Sequence, residues 1–155
     1  MINVNIAKND NLIYSAALLI LNNPAKYNPL FLYGKSLTNK TKILKLIVKS
    51  FKQIYKKSSI YTKADDFLCD FIFSLKLNKV GQFTQKYRNN ALFAIDNIQV
   101  LADKEYTQQQ MIMTLKELEH KGSQIVISAN CHPDDINGLD EDLKSYCYGG
   151  LMIEI

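Results

Sequence analysis

The order of segments along this chain predicts an α/β fold with a parallel sheet covered by helices on both faces. Short apolar runs alternate with stretches of helical periodicity from one end of the chain to the other. The run PLFLY at 29–33 is apolar without alternation, the pattern of a strand buried on both sides. Right-handed crossovers in such a sheet collect the strand-to-helix loops at one edge, where ligands bind.

The elements follow in order. Residues 10–22 (DNLIYSAALLILN) have helical spacing, with Asp10 as N-cap and Pro24 beyond the end. Residues 29–33 are the first strand, and 34–39 the loop after it. Residues 40–57 place Ile43, Leu44, Ile47, Val48, Phe51, Ile54 and Tyr55 at helical intervals. The second strand is 58–62. A helix over 64–75 turns Phe67, Leu68, Phe71 and Ile72 inward, and a shorter helix covers 80–87. The third strand is 91–95. Thr107 caps a helix that runs to His120, with Gln110 completing a capping box and Gly122 ending the helix. The fourth strand is 124–129, a short helix follows at 140–146, and 151–155 is the fifth strand. No repeat, low-complexity tract or long linker interrupts the series, so residues 1–155 read as a single domain.

Composition excludes several classes. At 47% hydrophobic residues the chain can bury roughly 70% of its unfolded surface. Cys69, Cys131 and Cys147 are far apart and form no C-x-x-C pair, which argues against zinc or a disulfide framework and fits a reducing cytoplasm. The N-terminus lacks a signal-peptide pattern. The longest apolar stretch, 16–21, is far short of the ~20 residues of a membrane span. His120 and His132 have no ligand partner at helical spacing, so neither is read as a metal ligand. The net charge of +4 is mild but uneven: Lys35, Lys40, Lys42, Lys45, Lys49, Lys52, Lys56 and Lys57 occur within 35–57, with no acid among them. Such a stretch can meet the phosphates of a nucleotide or a nucleic acid, and its 42–57 part with Lys104 motivates an expectation of single-stranded DNA binding, or it can serve only as a solvated helix face.

Directly after the first strand, residues 34–41 read GKSLTNKT. The phosphate-binding pattern G-x-x-x-x-G-K-[ST] is matched at Gly34, Lys40 and Thr41, with Asn39 in place of the second glycine and Lys35, Ser36, Leu37 and Thr38 as spacers. Such a loop turns backbone N–H groups toward an anion at a helix N-terminus. Asn39 is the next-best residue after glycine for a left-handed turn. Lys40 is expected to reach the phosphates, and Thr41 to offer its hydroxyl to Mg²⁺. Asp96, at the end of the third strand, would hold the same ion through water. Asn97 stands where an ATPase often has a second acid, so nucleotide binding should survive better than turnover.

The stretch YNPLFLYG at 27–34 and the run IDNIQVLADKEYTQ at 95–108 together resemble the bacterial replication initiator DnaA family, in its DnaA/Hda-like form. The likeness continues through Asp66, Phe67, Phe71, Ile72, Lys86, Tyr87 and Arg88, then through 124–128 and 136–145. The resemblance implies an AAA+ nucleotide-binding core with a five-stranded parallel sheet, and ATP or ADP with Mg²⁺ as ligands. It implies that residues 34–41 hold the nucleotide and that Thr41 and Asp96 hold the metal. It makes Asn130 a polar sensor and places Ile72 and Lys104 on a channel for single-stranded DNA.

The departures are specific. Three family glycines are Lys35, Leu37 and Asn39 here, and family arginines are replaced at Asp142, Tyr146 and Tyr106. Adenine-contacting positions fall on Ala7 and Asp10. The helical lid and the helix-turn-helix domain of the family would follow Ile155, so no sequence-specific duplex binding is expected. Two functions follow from the resemblance. One is a DnaA-like protein of replication initiation or its regulation, with weak ATP or ADP binding, little or no hydrolysis, and docking on full-length DnaA or other replication proteins. The other is a relic AAA+ interaction module that docks without nucleotide.

Overall fold

The computed structural model describes residues 11–35 and 39–155. Five strands, β1 (Leu30–Tyr33), β2 (Ser59–Lys63), β3 (Leu92–Asp96), β4 (Gln124–Ala129) and β5 (Leu151–Glu154), form one sheet in the order β2-β3-β4-β1-β5. Every pairing is parallel. Among the described residues six α-helices accompany it: α1 (Asn11–Asn22), α2 (Lys40–Tyr55), α3 (Ala64–Lys76), α4 (Val80–Arg88), α5 (Glu105–His120) and α6 (Glu141–Cys147). Short 3-10 turns occupy Ile98–Leu101 and Pro133–Asp135. The Asp10 cap and the adenine positions Ala7 and Asp10 lie outside the described residues.

Alternation along the strands divides the core into two layers. Leu30 and Leu32 of β1, Leu92 and Ala94 of β3, and Val126 of β4 face α1 and α2, where Ile20, Leu44, Ile47 and Phe51 complete the packing. Phe31, Phe93, Ile95, Ile125 and Ile127 face the other way, onto α3 to α6. That second layer holds an aromatic group in which Phe67, Phe83 and Tyr87 pack with ring centroids 4.9–5.2 Å apart. Edge-to-face contacts of this kind add to simple area burial.

Two polar devices fix the register. Asn28 accepts the Ile125 N–H at 2.7 Å and donates to the Ser123 carbonyl at 2.8 Å, and the buried Gln124 side chain accepts the Ala25 N–H at 2.8 Å. Together they lock the entry of β1 beside β4, and so set where the loop after β1 emerges. The buried Arg88 ties α4 to α5 through Thr114, Glu117 and Gln110 at 3.1–3.2 Å. Arg88 is buried with its donors matched to acceptors, the arrangement that makes a buried guanidinium tolerable.

Three local expectations are corrected. The helix expected from Thr107 begins at Glu105, with Lys104 at the N-cap and no side-chain cap. Thr107 is buried inside the helix, and Gln110 accepts from Arg88 instead of closing a capping box. An acid at Glu105 suits the positive end of the helix dipole, which supports the earlier start. Ile72 does not turn inward: it is 41% exposed, while Phe67 and Phe71 supply the buried face of α3. Asn39 takes φ −79°, not a left-handed conformation, because it sits at the N-cap of α2 where negative φ is required.

Replacing Phe67 by alanine removes the ring that contacts both Phe83 and Tyr87. The expected loss is about 3–5 kcal/mol of unfolding free energy, read by urea denaturation.

Candidate functional site

Parallel pairing brings the carboxyl ends of β1, β3 and β4 to one edge. Tyr33 is opposite Ala129, and Ile95 opposite Ile127, so Gly34, Asp96 and Asn130 leave the sheet at neighbouring positions. The Gly34 N–H donates to the Ala129 carbonyl at 3.3 Å. Gly34 has φ +153°, and a Cβ there would stand 2.3 Å from the Ile155 carbonyl oxygen. The Ile155 N–H donates in turn to the Tyr33 carbonyl at 2.8 Å. Glycine is therefore required at 34 by both conformation and space.

Lys40 opens α2 and is only 4% exposed. Its Nζ donates to the Gly34 carbonyl at 2.7 Å and the Lys35 carbonyl at 2.8 Å, folding the ammonium back onto the loop it follows. Burial pushes the Lys40 pKa below the ordinary lysine range, and the Asp96 carboxylate opposes that shift. The first turn of α2 contains no acid, which leaves its positive dipole end uncompensated. Ser36, Leu37 and Thr38 lie outside the described residues.

Asp96 ends β3 and is 1% exposed. Hydroxyls from three other elements converge on it. Thr41 Oγ1 of α2 donates to Oδ2 at 2.6 Å, Tyr61 of β2 donates to Oδ2 at 2.8 Å, and Ser128 of β4 donates to Oδ1. Burial, followed by the hydrogen bond to Asp96, pushes the Tyr61 pKa upward. Asn97 adopts a left-handed conformation, φ 62° and ψ 54°, which asparagine tolerates well. Its N–H donates to Ser128 Oγ at 3.0 Å.

Asn130 is exposed just past β4, and its N–H donates to Gln99 Oε1 at 3.2 Å. Gln99 Nε2 reaches Asn97 Oδ1 at 3.4 Å, so one side chain bridges the residues that follow β3 and β4. Lys104 is exposed at the start of α5, and Tyr106 beside it is 81% exposed. Ile72 lies on α3, which packs against the 3-10 turn leading toward Lys104. Asp142 is exposed near the start of α6, and Tyr146 is half-buried on the same helix.

Of the expected site residues, Gly34, Lys40, Thr41 and Asp96 meet at one place, with Asn130 on the same edge. Ile72 and Lys104 lie elsewhere, on the α3–α5 side. Tyr61, Ser128 and Gln99 were missed by sequence reasoning. A buried serine at the end of the otherwise apolar run IVIS was the one available signal, since a buried hydroxyl needs a partner.

The donor set at Asp96 fits a magnesium ion. A carboxylate and a hydroxyl oxygen stand 2.6 Å apart, and Mg²⁺ prefers such hard oxygens, with phosphates completing its shell. Among the described residues no group of three or more His, Cys, Asp and Glu could hold a metal, as a site completed by a bound phosphate requires none.

The sheet order, with a glycine loop leaving β1 for a helix that opens on Lys40-Thr41, places the fold in the AAA+ class of phosphate-loop NTPase cores. Residues 3–154 match the family described as Bacterial DnaA ATPase domain. The chromosomal replication initiator protein DnaA of Geotalea daltonii is 37% identical over 144 residues, covering 92% of this chain and 32% of that protein. Domain III of the Thermotoga maritima replication initiation protein DnaA superposes with a TM-score of 0.93 at 31% identity, over 99% of this chain and 65% of that one. A replication initiator DnaA bound to AMPPCP and single-stranded DNA gives 0.92 at 29% identity, over 99% of this chain and 48% of that one. The chain belongs to the bacterial DnaA ATPase-domain family. It spans about a third of the length of the curated relative it matches.

Tyr61→Phe removes one of the hydroxyls that hold Asp96 and leaves the ring in place. A hydrogen bond to a charged acceptor contributes about 1.5–3 kcal/mol. The lower end is expected here because Tyr61 is half-buried, and denaturant titration of the variant measures it.

Proposed function

We infer that this chain is a single AAA+ nucleotide-binding domain, 1–155, that acts in chromosomal replication initiation or its regulation. It binds ATP or ADP with Mg²⁺ weakly and hydrolyses it little or not at all. The observation that carries this reading is the convergence of Lys40, Thr41 and Asp96 at the loop after β1, with Thr41 Oγ1 2.6 Å from the Asp96 carboxylate.

The loop 34–41 cradles the phosphates, and the N-terminal end of α2 faces them. Lys40 supplies a positive charge once its ammonium turns from the Gly34 and Lys35 carbonyls. That exchange is one source of weak affinity, because the Gly34 and Lys35 carbonyls compete with a phosphate for the ammonium. Thr41 and Asp96 hold the Mg²⁺, whose role when bound is to neutralise phosphate charge. Asn97 can orient a water molecule but cannot accept its proton, a loss typically worth ~10²–10⁴-fold in rate. Asn130 contacts the nucleotide's terminal phosphate as a sensor. Ile72 and Lys104 contact single-stranded DNA, in keeping with their exposure on neighbouring elements. Full-length DnaA is the expected protein partner, and the cytoplasm the expected location. No helix among the described residues is long and apolar enough to cross a membrane.

A second reading is favoured by the Lys40 contacts themselves. A lysine already bonded to the Gly34 and Lys35 carbonyls suits a relic AAA+ module that docks on the initiator or another replication protein without nucleotide.

Thermal unfolding with and without Mg-ADP separates the two. Ligand at 100 times its Kd adds ~2.7 kcal/mol to a protein that binds it. Lys40→Ala is expected to remove the nucleotide-induced rise in Tm. A wild-type Tm unmoved by millimolar Mg-ADP and Mg-ATP would leave the nucleotide-free module as the correct reading.

A further inference from the structure

The outer face of α2 has no part in the nucleotide site. Ile43, Leu44, Ile47 and Phe51 bury one side of this helix against the sheet. On the opposite side Lys42, Lys45, Lys49, Lys52 and Lys56 recur at alternating intervals of three and four residues, which places them in one row. All five are exposed, as is Lys57 just beyond the helix. At 1.5 Å per residue the row is about 21 Å long. Among the described residues none of the six forms an ion pair. At its far end Lys49, Lys52, Lys56 and Lys57, with Gln53 and Ser58, line an open groove of about 610 Å³.

A solvated helix face accounts for part of this. Lys52 and Lys56 lie at the C-terminal end, where the helix dipole favours cations. Lys42 and Lys45 lie in the first two turns, where it does not, and the first turn has no acid to offset them. Like charges three and four residues apart also destabilise a helix. A run of uncompensated cations of this kind favours an anionic partner.

We propose that the lysine row on α2 and its terminal groove bind the phosphate backbone of duplex DNA without reading its sequence. The chemistry selects this occupant over others. A protein partner is bound through apolar or aromatic anchors ringed by polar groups. Among the described residues the row presents no exposed large apolar side chain, since Ile54, 41% exposed, lies on the other side of the helix. Single strands are held by stacking bases on aromatic rings, and the Tyr61 ring beside the row is already covered by Lys45 at 5.1 Å. A membrane-surface helix needs its apolar face free, and that face of α2 is buried in the core. A duplex presents one charge per ~1.7 Å of its axis, a dense linear array of anions for a straight row of lysines to meet. Contacts of this type position a protein and carry no base information. The groove lies at the opposite end of α2 from Lys40, so this inference stands whether or not nucleotide is bound.

The test is a fluorescence-anisotropy titration of the full chain with a labelled duplex of mixed sequence, between about 50 and 200 mM salt. Lys49→Gln/Lys52→Gln/Lys56→Gln is compared with Lys76→Gln/Lys79→Gln/Lys116→Gln, which removes equal charge from other exposed positions. Thermal melts establish that both variants are folded, and the single substitutions replace a triple that is not. Wild type is expected to bind with log K falling linearly in log salt. The α2 triple should lose at least about tenfold in affinity, and about 0.9 in slope for each lysine that touched a phosphate. The other triple should retain most of both. Equal losses in the two triples, or none in either, overturn the proposal. So does tighter binding of a single strand than of duplex through the α2 lysines, and so does binding to anionic phospholipid vesicles with none to DNA.

Discussion

The carboxylate of Asp96 is enclosed at the end of a central strand, and much of the molecule is arranged around that fact. An ionised carboxylate carries a desolvation cost of several kcal/mol when buried, unless its oxygens accept hydrogen bonds. Here the donors come from α2, β2 and β4, each at least 32 positions from Asp96 in sequence. The contact holds only if β3 lies between β2 and β4 in the observed register and α2 crosses the sheet at the right height. Sheet order, helix placement and the local chemistry of the edge are thereby coupled through one side chain.

Three described positions at the same edge have backbone conformations that suit the residues they carry. Gly34 keeps its glycine because its conformation and the Ile155 carbonyl leave no space for a side chain. Asn39 replaces a family glycine at a position whose φ is negative, where a side chain brings no conformational penalty. Asn97 sits at a left-handed position that suits asparagine. At these three positions the backbone conformation suits the residue present.

The helix α2 has two chemically different ends joined by one apolar stripe. Its first turn offers N–H groups and a buried ammonium to the sheet edge, and its outer face carries a row of solvated ammonium groups. Burial of Ile43, Leu44, Ile47 and Phe51 fixes the rotation of the helix and therefore decides which lysines are enclosed and which are free to meet solvent. Lys40 is enclosed and the others are not, although composition alone would treat them alike.

The strands and helices were legible because each is buried on a recognisable pattern: PLFLY, LFAID and QIVIS are strands because their residues fill both layers of a packed sheet. The pairing of Lys40, Thr41 and Asp96 was legible from the loop spacing and from a strand that ends on an acid. Helix starts were less legible. Thr107 has the sequence of a cap, but burial of its side chain and the demand of Arg88 for Gln110 moved the start to Glu105. Ile72 has an apolar side chain that α3 leaves exposed, because the aromatic residues on the adjacent face already fill the core.

By itself the sequence determined the alternation of elements, the two-sided burial of the strands and the residue types at the loop, since these depend on local periodicity and composition. Only the tertiary structure decided that Tyr61, Thr41 and Ser128 share one carboxylate, that Gln99 spans two strand ends, and that Lys40 turns inward while its neighbours form an outer row. Those contacts join residues separated by 31 to 55 positions or depend on how a helix is rotated against a sheet. Hydrogen bonds between distant segments leave no periodic trace in a sequence, because their geometry exists only once the layers have packed.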